Sequence, residues 1–135
     1  MIEPVFLHLD EVIEIHDDQI KRYGGHPGIR EIDLLKSAVA MPKASFGGDF
    51  LHADIYEMAA AYLFHIARNH PFMDGNKRTG AVAAIVFMEM NGIVLNVNEN
   101  TLVVLVLSVA EGKTDRIGTA QVFRNNSSKT EPSGR

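Results

Sequence analysis

Along most of the chain apolar residues return every three or four positions, with polar residues filling the gaps, which is the period of helices buried on one side. Leu9, Val12, Ile13, His16 and Ile20 trace the first such stripe. Acids precede the basic pair Lys21–Arg22, and Gly24–Gly25 end the run. A shorter helix is predicted over EIDLLKSAVA (31–40), stopped by Pro42. The segment MPKASFGGDFLH (41–52), with two glycines and a proline, reads as a loop or a small irregular hairpin. Asp54 and Glu57 form an acidic variant of the capping-box spacing ahead of a third helix, IYEMAAAYLFHIARN. Its alanines and aromatics suit close packing. Asn76 can cap a fourth helix, KRTGAVAAIVFMEM, which ends at Asn91–Gly92.

Beyond it, Ile93 to Val97 reads as a short extended connection. The apolar run TLVVLVLSVA (101–110) is crowded with β-branched residues, so periodicity alone does not separate helix from strand. Asn98 before it and Gly112 after it favour a helix, expected to be a buried core segment. Thr114 can cap a last helix, DRIGTAQVF, and the polar tail from Asn125 (125–135) is expected to fray. The expected fold is all-α: one compact domain over 1–124, a bundle of about six helices with a polar loop between its two most core-like members.

Composition narrows the classes. A chain of 135 residues, 46% hydrophobic and 22% charged, is that of an ordinary single-domain globule. A formal net charge of −4 argues against a bulk nucleic-acid binder, though not against a local basic patch. Without cysteine there is no disulfide framework and no thiolate metal site, which is compatible with a cytoplasmic protein. The N-terminus lacks the order of a signal peptide. The run at 101–110 is about half the ~20 residues a membrane span needs. No membrane association and no direct nucleic-acid contact are expected.

The polar loop carries the chemistry. Residues 69–80 read NHPFMDGNKRTG. His70 stands where the third helix ends at Pro71, and Phe72 can plug the loop into the core. Asp74 offers a hard oxygen of the kind Mg²⁺ prefers. Gly75 permits close backbone approach or a positive φ. Asn76, Lys77 and Arg78 open a helix whose free N–H groups and positive dipole end suit phosphate. Arg78 adds a bidentate fork and Lys77 a point charge. A histidine near that end is biased toward the neutral form that a general base needs. Base, metal ligand and anion cradle together outline a phosphoryl- or nucleotidyl-transfer site. The plain alternative is a solvated turn, since Asp-Gly-Asn is an ordinary turn sequence.

The stretch resembles the signature of the Fic/Doc family, HPFxxGNGRxxR with an acid before the first glycine. The resemblance extends to the Ala-rich helix before it, the apolar helix after it, NGI at 91–93 and VLVLSVAEGK at 104–113. It is nearest to the Doc branch of small toxins from toxin–antitoxin pairs. By that resemblance His70 is the general base toward a hydroxyl of a target protein. Asp74 holds Mg²⁺ on the nucleotide, Gly75, Asn76 and Arg78 form the anion hole, and Phe72, with Pro71, supports the loop. The segment 41–52 corresponds to the place where relatives dock the target.

Two positions depart from the adenylyltransferase pattern: Lys77 replaces its second glycine and Ala81 its second arginine. Lysine fills space and brings charge; loss of the arginine removes a clamp on the distal phosphates. In Doc-like members the lysine accompanies a reversed nucleotide and transfer of the γ-phosphoryl group of ATP. A protein kinase is therefore expected, acting on a translation factor (elongation factor Tu by resemblance) and neutralised by an antitoxin. The alternatives are a Fic-type adenylyltransferase, a non-catalytic phosphate-binding module and, more remotely, a phosphodiester hydrolase.

Other features read as structural. SVAEG (108–112) falls one residue short of the family's inhibitory motif, and one residue turns a helix by ~100°. No inhibitor in cis is expected. EGKT (111–114) lacks the first glycine of a P-loop, since position 107 is leucine. His16-Asp17-Asp18 is expected to be a solvated face, His65 a packed helix residue and Arg68 a surface residue. Gly24–Gly25 and His26-Pro27-Gly28 are expected to be a simple turn.

Overall fold

The computed structural model describes residues 3–130 of the 135. Its elements run α1 (Leu9–Tyr23), α2 (Ile32–Ala40), a 3₁₀ turn (Met41–Lys43), β1 (Ser45–Phe46), β2 (Asp49–Phe50), α3 (Ile55–Asn69), α4 (Asn76–Met90), β3 (Ile93–Leu95), α5 (Glu99–Ala110), α6 (Arg116–Asn125) and β4 (Ser127–Lys129). The expected all-α bundle is the observed architecture, with two small two-stranded ribbons added at its edge. Of the loop or small irregular hairpin expected over 41–52, the hairpin is found at 45–50, β1 pairing antiparallel with β2.

The centre is the antiparallel-like pair formed by α3 and α4, the helices on either side of the polar loop. Met58 to Leu63, Ile66 and Ala67 of α3 are buried against Ala83, Ala84, Phe87 and Met88 of α4. Small side chains bring the axes close. A Cβ on Gly80 would lie 3.2 Å from the Leu63 carbonyl, so a larger residue there would push the two helices apart by a few tenths of an ångström. Asp54 caps α3 by accepting from Glu57 N–H at 2.9 Å, and Glu57 Oε1 accepts from Ala53 N–H at 3.2 Å. Tyr62 is fully buried, its hydroxyl oxygen accepting from Leu7 N–H at 2.9 Å. Burial pushes that phenol up to about 12.

Four expectations change. First, α4 is capped by Gly75 in the left-handed region (φ 73°), and Asn76 is its first residue. The Asn76 side chain turns back into the loop. Second, the last helix is capped by Asp115, which accepts from Gly118 N–H at 2.7 Å; Thr114 instead shares a hydrogen bond with Ser108 Oγ. Third, α5 is not a core segment throughout. Leu105, Val106 and Val109 are buried while Val104 is 67% exposed and Leu107 44%. An all-apolar run hides which face a peripheral helix turns inward.

Fourth, the fraying expected after Asn125 does not hold through residue 129. Ser127–Lys129 pair with Ile93–Leu95, flanked by bonds from Asn96 N–H to Asn126 O (2.6 Å) and from Thr130 N–H to Gly92 O (2.8 Å). A ladder of main-chain groups needs no apolar side chains, so polar residues can form it when a neighbouring strand offers an open edge. Residues 131–135 of the expected tail lie outside those described.

His65 is a half-buried helix residue beside buried His52. Arg116 Nη1 donates to His52 Nδ1 at 3.2 Å, since a guanidinium only donates, which leaves the proton of a neutral ring on Nε2. Burial, then the Arg116 charge, pulls both imidazoles below their ordinary value, while the Met41 carbonyl and Glu57 partly oppose this at His52. A histidine depressed in the folded state contributes stability above its unfolded value of 6.5 and loses it as pH falls below that value. The urea midpoint is therefore expected to fall between pH 7.5 and 5.5. The paired change His52→Gln and His65→Gln should flatten that slope; an unchanged slope would refute the assignment.

Candidate active site

The loop between α3 and α4 is held from two sides. From within, Phe72 is buried and its main chain is bracketed by one side chain. Phe72 N–H donates to Asn76 Oδ1 at 2.9 Å, and Asn76 Nδ2 donates to Phe72 O at 3.1 Å. The Asn76 amide, expected at a phosphate, is thus occupied by the loop. What Asn76 leaves at the open end of α4 is its main-chain N–H.

From outside, α1 and the segment after it grip the same loop. His16, expected on a solvated face, is 2% exposed and stacks parallel on Phe72 with ring centroids 3.8 Å apart. Its Nε2 donates to Asp74 O at 2.8 Å, which assigns that proton to Nε2. A polar side chain on the buried stripe has found both an aromatic face and a carbonyl. Asp17 and Asp18 stay exposed, so the trio is not a metal site.

Residues 24–28, expected to be a simple turn, belong to a clamp that runs on to Arg30 and Glu31. His26 N–H donates to Asp74 Oδ2 at 3.1 Å, Met73 N–H to Gly28 O at 2.9 Å, and Arg30 N–H to Pro71 O at 2.8 Å. Arg78 Nη2 reaches back to Gly24 O at 3.0 Å. Gly25, at φ 120°, takes a backbone conformation that other residues rarely adopt, and a Cβ there would lie 2.9 Å from Asp74 Oδ2 and displace that carboxylate. Ile29 and Phe72 are joined by an isolated antiparallel bridge. The sequence signal was the density of glycine and proline in GGHPG. It marks a turn, but not what the turn lies against.

The predicted site residues come together around the start of α4. His70 is exposed at the end of α3 in the left-handed region, φ 51°. Pro71 and Phe72 are buried beneath it. Asp74 is exposed; the N–H groups of His26 and then Gly75, with Arg78 and His26 nearby, hold its carboxyl below the usual carboxylate range. A carboxylate has about four lone-pair directions, so two N–H donors leave room for a cation. The first main-chain bond of α4 runs from Thr79 N–H to Gly75 O, which leaves the N–H groups of 76–78 at the open end of the helix. Lys77 is exposed there. Lys77 and Arg78 also border a cavity of about 460 Å³ lined by Tyr23, Ala81, Leu102 and Val106.

Among the described residues no group of three or more His, Asp or Glu could enclose a metal. One ionised carboxylate beside an anion cradle instead fits Mg²⁺ held jointly by protein and phosphate oxygens, the usual mode for that ion. Arg68 is exposed, lies over the Phe64 ring at 5.9 Å and faces the end of α5 rather than the loop. Among the described residues no helix is long and apolar enough to cross a membrane.

The chain is similar to known proteins, and the family model that matches it covers this region. Over 84 residues the chain is 36% identical to the protein kinase Doc of Escherichia phage P1, covering 62% of this chain and 66% of that protein. Over 73 residues it is 42% identical to the toxin Doc of Mycolicibacterium smegmatis, covering 54% of this chain and 56% of the relative. Each match therefore spans less than two thirds of the relative's own length. The Fic/DOC family model matches residues 6–88, which take in α1, the clamp, both central helices and the loop between them. That span is more than half of the chain and contains His70, Asp74, Lys77 and Arg78, so the chain belongs to the Fic/DOC family.

Proposed function

We propose that the chain is a Doc-type toxin, a protein kinase that transfers the γ-phosphoryl group of ATP to a hydroxyl of a target protein. The observation that carries this reading is Lys77 at the open N-terminal end of α4, where the adenylyltransferase signature has glycine. The printed identity of the phage P1 relative as a protein kinase supports it.

In this reading His70 accepts the proton of the target hydroxyl as its oxygen attacks the γ-phosphorus. The bond from that phosphorus to the β–γ bridging oxygen breaks, and ADP leaves. The N–H groups of 76–78, Lys77 and the Arg78 guanidinium balance charge on the phosphates. Arg78 is steadied by Gly24 O, so its fork is oriented before the nucleotide arrives. Asp74, kept ionised, would hold Mg²⁺, which supplies charge neutralisation on the phosphates when bound. The cavity beside Ala81 is the space next to the cradle for the nucleoside portion. The target in translation and the neutralising antitoxin follow from the family resemblance.

Incubating the protein with a bacterial lysate and ATP labelled at the α- or the γ-phosphorus tests the reading. Protein-bound label is expected from the γ position alone. Label retained from the α position would make the chain an adenylyltransferase, and free nucleotide release without labelled protein would make it a hydrolase.

A further inference from the structure

His70 (φ 51°, ψ 53°) is the one non-glycine residue with positive φ among those described. Glycine or asparagine usually takes this place at a helix end, because a Cβ is crowded there. In the Schellman form of such an end, one of the securing bonds comes from the N–H of the following residue and returns to the last helical turn. Here the following residue is Pro71, which has no N–H.

Arg30 closes the end from outside. Its Nε donates to His70 O at 2.7 Å and its Nη2 to Asn69 O at 3.0 Å. The main-chain N–H groups of Arg30 and Glu31 donate to the next carbonyl, Pro71 O, at 2.8 and 3.0 Å. Three consecutive carbonyls on either side of the histidine Cα are thus anchored to one short segment. A planar guanidinium can span two of them at once; an ammonium cannot do so in a fixed geometry. The positive charge also lies at the negative end of α3.

We propose that Arg30 is a positioning residue for His70. Its fork holds the left-handed backbone that presents the imidazole, and so sets the geometry of proton removal from the acceptor hydroxyl. The inference rests on the reading of His70 as general base. Arg30 itself touches neither the phosphate cradle nor the Asp74 carboxylate, both of which stay anchored by His16, His26 and Gly24.

The test uses the full chain with Arg30→Ala and Arg30→Lys, assayed by γ-label incorporation into lysate protein over a range of Mg-ATP. A displaced base lowers kcat on the order of a hundredfold while the KM for ATP stays within about twofold. Lysine should recover only part of the loss. A kcat within twofold of wild type, or a loss confined to KM, would overturn the proposal. Independently of activity, the backbone ¹³C shifts of His70 report its φ and ψ. They are expected to leave the left-handed range in Arg30→Ala, and unchanged shifts would also overturn the proposal. If Arg30→Ala does not fold, Arg30→Lys decides by the same two readouts. If wild type transfers no label, the kinase reading fails and the His70 shifts alone decide the role of Arg30.

Discussion

His70→Ala is expected to lower γ-phosphoryl transfer about 10²- to 10⁴-fold, the usual contribution of a positioned general base. The imidazole is exposed and makes no side-chain hydrogen bond among the described residues, whereas Pro71 and Phe72 beside it are buried. Alanine should therefore leave the thermal midpoint close to that of wild type. Phosphate binding should survive as well, because the cradle is built from α4 and steadied by the clamp. The informative measurement pairs transfer rate with nucleotide affinity by calorimetry. A variant that keeps full transfer would remove His70 from the mechanism. One that loses nucleotide affinity and activity together would recast it as a binding residue. In a purely phosphate-binding module, His70→Ala would leave toxicity in cells intact while Arg78→Ala abolished binding.

Lys77→Gly carries the second large effect. Lys77 is exposed at the open end of α4 and has no hydrogen-bond or ion-pair partner among the described residues, so its removal should cost the fold little beyond the helix propensity of glycine, about 1 kcal/mol. A positioned charge that meets the phosphates mainly in the transition state contributes roughly 3 kcal/mol, or about a hundredfold in rate. Transfer from γ-labelled ATP should fall by that order. Label from the α position should begin to appear, more so when Ala81→Arg is added. Ala81 borders the cavity beside Lys77 and Arg78, so a longer side chain there has room to reach the distal phosphates. If γ-transfer is unchanged in Lys77→Gly, this residue does not decide which phosphorus is attacked.

The helices were legible because their signals are local. Asp54, Asn98 and the glycines at 24, 92 and 112 act on chain only a few residues away, and α1, α3, α4 and α5 start or stop within two residues of where those residues stand. The polar loop was legible for the same reason: base, acid, glycine and cations lie within nine residues, from His70 to Arg78. Errors began where a side chain chose between partners. Asn76 was a plausible cap in sequence, yet Phe72 lay close enough to take both ends of its amide, and Gly75 took the cap.

What spacing along the chain decides by itself is where each helix runs and which chemistry sits in the loop between α3 and α4. What it leaves open is which distant segment lies against that loop. His16, His26 and Arg30 are between 39 and 58 positions away from the groups they hold. Nothing in their own surroundings marks them as partners of Asp74 or His70. Only packing α1 and its following segment against the central pair brings them within hydrogen-bond reach. Hydrogen bonds act over about 3 Å, so such partners become readable once the helices have been placed in space.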